Sequence, residues 1–267
     1  MTDSSAVWIG EASRYDQTRP SPPSVLLDML TQLIHTPRPT LVVDLGCGTG
    51  RSTTIWGERA EQVIGIEPSD EMRCQALDNL PSLASAPRIA YRAGVAHQTG
   101  LDTASVDVVT CAQAFHWMDP SATLAEIARI VRPGGVFAAY DYSWPPTIHW
   151  EVDQIFQEVD ARFEQLIQTR GAQEPGPRWS KEQHLDRMRQ SGLFCFTTEV
   201  VLHQCDYGDA SRFIGLILSS GYSYHLKRGT VTEHEIGLER LRQAARDYIG
   251  IAPIPWYFSY HVRIGIR

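Results

Sequence analysis

The sequence predicts an α/β fold in which a doubly wound, mostly parallel sheet carries helices on both faces. Three observations predict it. A short apolar run passes into a glycine-rich turn at residues 41–50, strand and helix patterns alternate from there through a fifth strand ending at Tyr140, and two further strand patterns follow. Strands that alternate with helices form parallel sheets, because each crossover returns the chain to the same edge. We therefore expect seven strands in one sheet.

The first strand and its turn are the most informative stretch. Residues 41–50 read Leu-Val-Val-Asp-Leu-Gly-Cys-Gly-Thr-Gly, so Gly46, Gly48 and Gly50 stand at every second position. Glycine permits a sharp turn and lets the backbone approach a ligand closely. The spacing differs from the Gly-x-Gly-x-x-Gly of dinucleotide sites, and Asp44 is badly placed for a pyrophosphate but well placed for a positive amine. The plainer interpretation is a tight turn in another α/β protein.

At this loop the chain resembles the class I S-adenosylmethionine (SAM) dependent methyltransferases. The resemblance implies a Rossmann-like sheet with an antiparallel seventh strand, with SAM as cofactor and S-adenosylhomocysteine (SAH) as product. It implies that Asp44 orients the cofactor through the loop geometry or through the methionine amine. The loop residues expected to hold the methionine part are Gly46, Cys47, Gly48 and Gly50.

The segment before this strand contains a predicted helix and a leader. Apolar residues recur with a helical period over residues 22–35, and prolines end the pattern. The leader, residues 1–20, fits a disordered segment, but residues 15–20 resemble a stretch that folds over the cofactor in one branch of the family. That resemblance implies that Tyr15 and Arg19 face the cofactor.

The second strand, Val63–Ile66, ends at Glu67. A carboxylate at this place can accept hydrogen bonds from both hydroxyls of a ribose. The plainer interpretation is an exposed loop acid. Ser69 is a predicted N-cap of the next helix. The resemblance further implies an adenine slot lined by Pro68 and Met72.

The third strand, Ile89–Arg92, is followed by a loop at residues 93–101. Many members of the family carry an aspartate where Val95 stands, and it binds the adenine amino group. This sequence lacks that acid, so backbone groups of Val95 and Ala96 are expected to take its place. His97 fits a surface loop rather than a catalyst.

The fourth strand, Asp107–Cys111, leads toward the expected site of methyl transfer, because ligands of this fold class bind at the carboxyl ends of the strands. Gln113 and Ala114 are expected to contact the cofactor. His116 and Trp117 are expected to lie between cofactor and acceptor. A helix follows, capped by Asp119, and it ends at an Arg-Pro-Gly-Gly turn that also resembles the family.

Beyond the fifth strand, Val136–Tyr140, the chain departs from a minimal domain of this kind. The patterns predict helices at 152–167, 181–190, 210–220 and 232–248, and strands at 194–203 and 255–266. Thr232 and Glu235 are spaced as a capping box that opens the last of these helices. We interpret residues 1–267 as a single domain, with 1–20 as a leader over the cofactor and 143–191 and 204–250 as helical cap insertions that bind substrate. This layout resembles the branch of the methyltransferase type 11 superfamily that includes the trans-aconitate methyltransferases.

The acceptor pocket is expected to combine aromatic walls with a candidate base. His116 is the candidate general base by position, ahead of His149 and His225. A base is needed only for a weakly acidic hydroxyl or a carbon acid, since a carboxylate is already ionised. Residues expected to contact the acceptor are Trp117, Tyr142, Trp144, Tyr222, Tyr224 and His225. Cations that could pair with an acidic acceptor, or simply solubilise the surface, are Arg178, Lys181, Lys227 and Arg228.

Composition narrows the class of protein. The net charge is −7 and no Lys/Arg cluster stands out, which argues against a nucleic-acid partner. Five scattered cysteines without a Cys-x-x-Cys pair favour reduced thiols, and no metal site is expected. The sequence shows no signal-peptide pattern and no apolar run of about 18 residues, so we expect a cytoplasmic protein without membrane contact. Oligomeric state cannot be inferred.

Three functions remain open at this point. The first is SAM-dependent methyl transfer to a small molecule, on oxygen and possibly on a carboxylate. The second moves the methyl group to carbon or nitrogen, of a small molecule or a macromolecule. The third is a non-catalytic SAM-binding regulator or interaction protein, against which the intact loop and Glu67 argue. A nicotinamide oxidoreductase fits least, because the glycine spacing differs.

Overall fold

The computed structural model describes residues 9–173 and 176–267, and it confirms the predicted fold class. Seven strands form one sheet in the order β3-β2-β1-β4-β5-β7-β6. Strands β1 to β5 pair in parallel, and β7 runs antiparallel to β5, with Val136 opposite Ile266. The strands are β1 (Leu41–Leu45), β2 (Gln62–Ile66), β3 (Ile89–Arg92), β4 (Val106–Ala112), β5 (Val131–Tyr142), β6 (Phe196–Gly208) and β7 (Ile254–Ile266).

Helices connect these strands and fill the second half of the chain. Ser69, Asp119 and Asp209 cap three of them through side-chain oxygens, and Thr232 and Glu235 form the predicted capping box. The helices are α1 (Ala12–Thr18), α2 (Val25–Leu33), α3 (Arg51–Thr54), α4 (Asp70–Asn79), α5 (Pro120–Ile130), α6 (Trp150–Thr169), α7 (His184–Gln190), α8 (Ala210–Leu218), α9 (Gly221–Lys227), α10 (Glu233–Ile236) and α11 (Leu238–Ala244).

The chain forms two compact units, which we call the sheet unit and the helical unit. The sheet unit comprises Ser21–Tyr142, Pro177–His203 and Ser259–Arg267. The helical unit comprises Met1–Pro20, Ser143–Gly176 and Gln204–Phe258. Among the described residues, none of the helices combines the length and the apolarity needed to cross a membrane.

The core of the sheet unit follows from its strand sequences. Strands β1 and β4 are buried along nearly their whole length, as the continuous apolar runs predict for parallel strands covered on both faces. Phe115 packs edge-on against Phe137, with 5.6 Å between ring centroids. This buried centre fixes where β1 and β4 end, and therefore where the turns after them lie.

Five elements differ from the sequence predictions. The sequence after the glycine turn predicts a helix from Arg51 to Ala60, but helix α3 ends at Thr54, because the chain continues in i→i+3 turns toward Gly57. The helix predicted over 232–248 is divided, since Gly237 adopts a left-handed conformation (φ +77°) that ends α10. Strand β6 continues to Gly208, and residues 221–227 form a helix. The leader contains helix α1.

Candidate active site

In the glycine turn after β1, two glycines pack closely against other parts of the protein and the third faces open space. All three have positive φ: +66° at Gly46, +53° at Gly48 and +83° at Gly50. A Cβ on Gly46 would lie 2.7 Å from the Cβ of Ala114, and one on Gly50 would lie 2.0 Å from the hydroxyl oxygen of Tyr91. A Cβ on Gly48 would meet no atom within 4 Å. Gly48 therefore lines open space, as a residue that a ligand approaches should.

Asp44 is fully buried and binds the surrounding chain. Its carboxylate accepts hydrogen bonds from the hydroxyls of Ser52, Thr53 (2.7 Å) and Thr110 (2.9 Å). Burial raises the pKa of Asp44, and these three hydrogen bonds oppose that rise. The side chain thus ties β1 to the start of α3 and to β4. Of the two roles expected for Asp44, this geometry favours the one exerted through the shape of the loop.

Glu67 joins the end of β2 to the glycine turn. Its carboxylate accepts hydrogen bonds from the backbone amides of Gly48 and Ser69, each at 3.0 Å and each on a different oxygen. A carboxylate offers about four lone pairs, so each oxygen retains one for another donor. Two adjacent hydroxyls of a ribose have the donors to use them. The residues present therefore fit a nucleoside ligand such as SAM.

The expected adenine residues lie around this acid. Met72 is buried in the first turn of α4, and Pro68 precedes the N-cap of that helix. The side chain of Val95 is partly exposed, and its carbonyl accepts from the amide of Gln98 at 3.1 Å. That bond occupies one lone pair of the Val95 carbonyl. Ala96 is buried in the core of the sheet unit.

Cys47 lies in the middle of the turn and is buried. Burial is the main cause that raises the pKa of its thiol well above the ordinary value, and the nearby Asp44 and Glu67 carboxylates add to it. The thiol therefore stays protonated and acts as a small packing group. Its side chain also closes off Gly65, where a Cβ would lie 2.7 Å from Sγ.

The end of β4 carries an unusual backbone conformation. Gln113 has a φ of +52°, which residues other than glycine rarely adopt. Its amide donates to the carbonyl of Tyr140 (2.9 Å), and its side-chain oxygen accepts from Lys181 Nζ (2.8 Å). Such strained residues cluster at functional sites. Ala114, the next residue, packs against Gly46, so the β4 end and the glycine turn are in contact.

His116 lies in a short 3₁₀ turn, Phe115–Trp117, beside a group of charges. It is buried, and its Nδ1 lies 3.8 Å from Oδ1 of Asp141. Asp141 also pairs with Lys181 (3.1 Å) and with Arg263 (2.7 Å). The backbone amide of Trp179 donates to the His116 carbonyl at 2.8 Å. The segment around residue 180 is thereby fastened to the turn that follows β4.

Asp141 and Arg263 were missed by sequence reasoning, and Lys181 was considered as a partner of an acidic acceptor or as a solubilising surface cation. One signal was available for Asp141, because it stands at the carboxyl end of the fifth strand, as Glu67 stands at the end of the second. The residue that joins it from β7 is more than a hundred positions away in sequence, and no local pattern links the two.

Comparisons with known proteins agree with this geometry. Residues 43–139 match the family of methyltransferase domains. An uncharacterized methyltransferase of Mycobacterium tuberculosis is 40% identical over 121 residues, which are 45% of this chain and 46% of that protein. The Saccharomyces cerevisiae protein CRG1, named as a probable S-adenosylmethionine-dependent methyltransferase, is 31% identical over 136 residues, covering 51% of this chain and 46% of that one.

A solved structure extends the likeness over the whole fold. It comes from Anaeromyxobacter dehalogenans, is described as a proposed type II methyltransferase, and is 25% identical with a TM-score of 0.66. The likeness covers 93% of this chain and 97% of that one.

The chain is therefore similar to methyltransferases in sequence over residues 43–139 and in fold over most of its length.

The curated relatives are matched over only part of their length, and the chain spans about half of each. The matched part, residues 43–139, holds the glycine turn, Glu67 and the β4 end. The trans-aconitate branch and the cap insertions stay predictions.

The remaining predicted site residues lie mainly in the helical unit, where two groups are seen. In the first, the Arg19 guanidinium lies over the rings of Tyr15 (4.9 Å) and Trp144 (5.1 Å). Arg19 also donates to the hydroxyl and the carbonyl of Ser219, at 2.9 and 2.7 Å. The leader is thus fastened within its own unit, at the end of α8. Tyr142, in the sheet unit, packs edge-on against Tyr260.

In the second group, aromatic side chains pack α9 against α6. The Tyr222 ring stacks on Phe163 at 4.2 Å, and its hydroxyl donates to Asp160 at 2.5 Å. Burial, together with this bond to the Asp160 carboxylate, raises the pKa of Tyr222. His225 is buried edge-on to Phe163, and Tyr224 lies under the guanidinium of Arg228. Packing within the helical unit is enough to explain the positions of Tyr222, Tyr224 and His225. Their contact with an acceptor stays a prediction.

Proposed function

We propose that this methyltransferase transfers the methyl group of SAM to an oxygen atom of a small-molecule acceptor, a carboxylate being the favoured class. The observation that carries the proposal is the Glu67 carboxylate. It is fixed by two backbone amides, retains a lone pair on each oxygen, and lies beside the open space at Gly48. A nucleoside cofactor needs this combination of a diol acceptor and an uncovered backbone.

When bound, SAM supplies an electrophilic methyl group on a sulfonium. The protein then has to align the acceptor and exclude water, and it needs no covalent nucleophile. Residues proposed to hold the cofactor are Gly46, Gly48, Glu67, Met72, Gln113 and Ala114. Asp44 and Gly50 are proposed to keep the loop in shape, because their contacts are with the protein.

The acceptor class is inferred from cations beside His116. The Arg178 guanidinium lies over the ring of Trp117 at 5.4 Å, and Lys181 follows three residues later, beside Asp141. A guanidinium stacked on an indole is oriented in advance and binds carboxylates in a bidentate manner. This arrangement supports an anionic acceptor of small size. His116 is proposed as a base only if the acceptor atom must lose a proton.

Calorimetric titration with SAM and SAH tests the proposal. We expect micromolar binding by the unaltered protein, strong weakening in Glu67→Ala, and a smaller loss in Glu67→Gln, whose amide still accepts from the backbone. The matched control is Glu61→Gln, an exposed acid just before β2. No binding of either ligand by folded protein would overturn the proposal.

Once binding is established, labelled methyl transfer to panels of carboxylic acids, alcohols and amines tests the acceptor class. Methyl esters as products support the carboxylate proposal. Transfer only to nitrogen or carbon, or binding without transfer to any panel, contradicts it. A cytoplasmic location and the absence of a nucleic-acid partner stay predictions.

A further inference from the structure

Lys181 bridges two residues at the carboxyl ends of neighbouring strands. Its ammonium donates to the side-chain oxygen of Gln113 at 2.8 Å and lies 3.1 Å from Oδ1 of Asp141. Gln113 directly follows β4, and Asp141 lies near the end of β5; the two strands pair in parallel. The lysine itself comes from the segment between residue 177 and α7. It therefore reaches the strand ends from a distant part of the sequence.

The lysine determines how the Gln113 amide is oriented. An ammonium group can only donate, so the group that faces it must be the carbonyl oxygen of the side chain. The NH₂ group, with two donors, must then face away from Lys181. Across residues 9–173 and 176–267, no group accepts a hydrogen bond from this NH₂. Gln113 thus presents donors, not an acceptor, on its other side.

The position of Lys181 is itself fixed by buried charge. Asp141 is buried and accepts from Arg263 at 2.7 Å, and Arg263 donates to Glu199 at 2.5 Å. The charges alternate along this row, and each hydrogen bond is charge-assisted, hence short and directional. The bond from the Trp179 amide to the His116 carbonyl holds the backbone two residues before the lysine. Lys181 is therefore not a mobile surface side chain.

We propose that Lys181 is a positioning residue for the cofactor: it holds Gln113, whose backbone lies in a strained conformation, so that the side-chain NH₂ donates to bound SAM. The proposal rests on the function proposed above. It assigns to Gln113 a donor role, which suits a carboxylate or hydroxyl oxygen of the ligand. It also explains why a residue other than glycine occupies a left-handed position, since only a side chain can supply these donors.

The test is a double-mutant cycle read out by SAH binding. Lys181→Met keeps most of the stem and removes the ammonium, and Gln113→Ala removes the amide. We expect each to weaken SAH binding by about three- to tenfold, the range for one lost hydrogen bond. Because Lys181 acts through Gln113, the affinity of the double variant for SAH should be no lower than that of whichever single variant binds SAH less tightly. Lys181→Arg, which restores a donor, should recover part of the loss.

Controls separate this role from general stability. Arg189→Met removes an exposed cation of α7 that pairs with Asp186 on the same helix, and it should leave SAH binding unchanged. Thermal unfolding without ligand should show that Lys181→Met is folded. The side-chain NH₂ signals of Gln113 in NMR spectra of ligand-free protein are identified by their loss in Gln113→Ala. Their chemical shifts should change in Lys181→Met and not in Arg189→Met.

The outcomes distinguish the two proposals. The positioning role is overturned if the fold-losses of SAH affinity in the two single variants multiply in the double variant. It is also overturned if Lys181→Met leaves both SAH binding and the NH₂ signals unchanged. In either case the cofactor assignment stands. If the unaltered protein binds neither SAM nor SAH, the function proposed above fails. The NH₂ shift then still reports whether Lys181 orients Gln113.

Discussion

The carboxylate of Glu67 accepts a hydrogen bond from the backbone amide of Gly48 at 3.0 Å. This bond joins the end of β2 to the glycine turn after β1. The two strands are neighbours in the sheet. One carboxylate therefore shapes the turn and, in the proposed complex, also offers lone pairs to the cofactor. Loss of the charge on Glu67 should act on both functions at once.

SAH binding should weaken as the pH falls toward mild acid. Burial raises the pKa of Glu67 above its ordinary value of 4.5, so the carboxyl takes up a proton at a higher pH than an exposed glutamate does. Protonation removes acceptor capacity that the ribose hydroxyls need. The dissociation constant, measured by calorimetry, should therefore rise as the pH falls from neutral toward the ordinary pKa of a glutamate. Glu67→Gln does not titrate, and its affinity should change less over this range; equal changes in both proteins would contradict the assignment.

Substitutions of two glycines should separate folding from binding. Gly48→Ala places a methyl group in open space at a φ of +53° and should cost about 1 kcal/mol of stability while weakening SAH binding strongly. Gly50→Ala places a methyl group 2.0 Å from the Tyr91 hydroxyl and should destabilise by more, about 2–4 kcal/mol. Urea unfolding and SAH titration measure the two effects. Gly48→Ala binding as tightly as the unaltered protein would remove Gly48 from the ligand site.

Asp44→Asn should loosen the loop. An amide oxygen cannot accept from Ser52, Thr53 and Thr110 in the way the carboxylate does, although a neutral side chain avoids the cost of burying charge. We expect a loss of about 1–2 kcal/mol in the free energy of unfolding and weaker SAH binding. Asp28→Asn is the control, since Asp28 forms an exposed pair with Arg59 and should change little. A variant as stable as the unaltered protein would show that the three hydroxyls do not depend on the charge.

The part of the site that could be predicted is the part carried by local sequence. Gly46, Gly48 and Gly50 follow a strand pattern directly, and Glu67 follows the next one. The rule that ligands bind at the carboxyl ends of parallel strands then places these residues together. The same rule placed Gln113 and His116 near the site. The places of the parallel strands along the sequence could be predicted, because buried parallel strands are continuous apolar runs.

What could not be predicted depends on contacts between distant parts of the chain. Lys181 meets Gln113 and Asp141 only after the chain has passed through α6, and no spacing in the sequence encodes that meeting. The contacts of Tyr222 were not predicted either, since its hydroxyl binds Asp160 and its ring stacks on Phe163, both in a different helix. Gly237 divides a helix whose capping box was correctly predicted, because a left-handed glycine outweighs the apolar period.

The last prediction concerns His184, a buried histidine of α7 that packs on Phe115 with 4.7 Å between ring centroids. Burial lowers the pKa of His184 from 6.5 to about 4, and the cations Arg263, Arg187 and Lys181 add to this, while Asp141 opposes it. The unfolded chain takes up a proton near pH 6.5, whereas the folded chain does not until near pH 4. The stabilising contribution of a neutral His184 is therefore complete above about pH 6.5 and is lost as the pH falls from there toward about pH 4.

In urea unfolding, the difference between the unaltered protein and His184→Leu isolates this contribution from those of other titrating groups. Between about pH 7.5 and about pH 5, the unaltered protein should lose about 1–2 kcal/mol more stability than His184→Leu does. His234→Leu is the matched control, because His234 lies in the exposed first turn of α10, and it should follow the unaltered protein. If His184→Leu and the unaltered protein lose stability equally over this range, His184 is protonated in the folded state and its ring is not held neutral against Phe115.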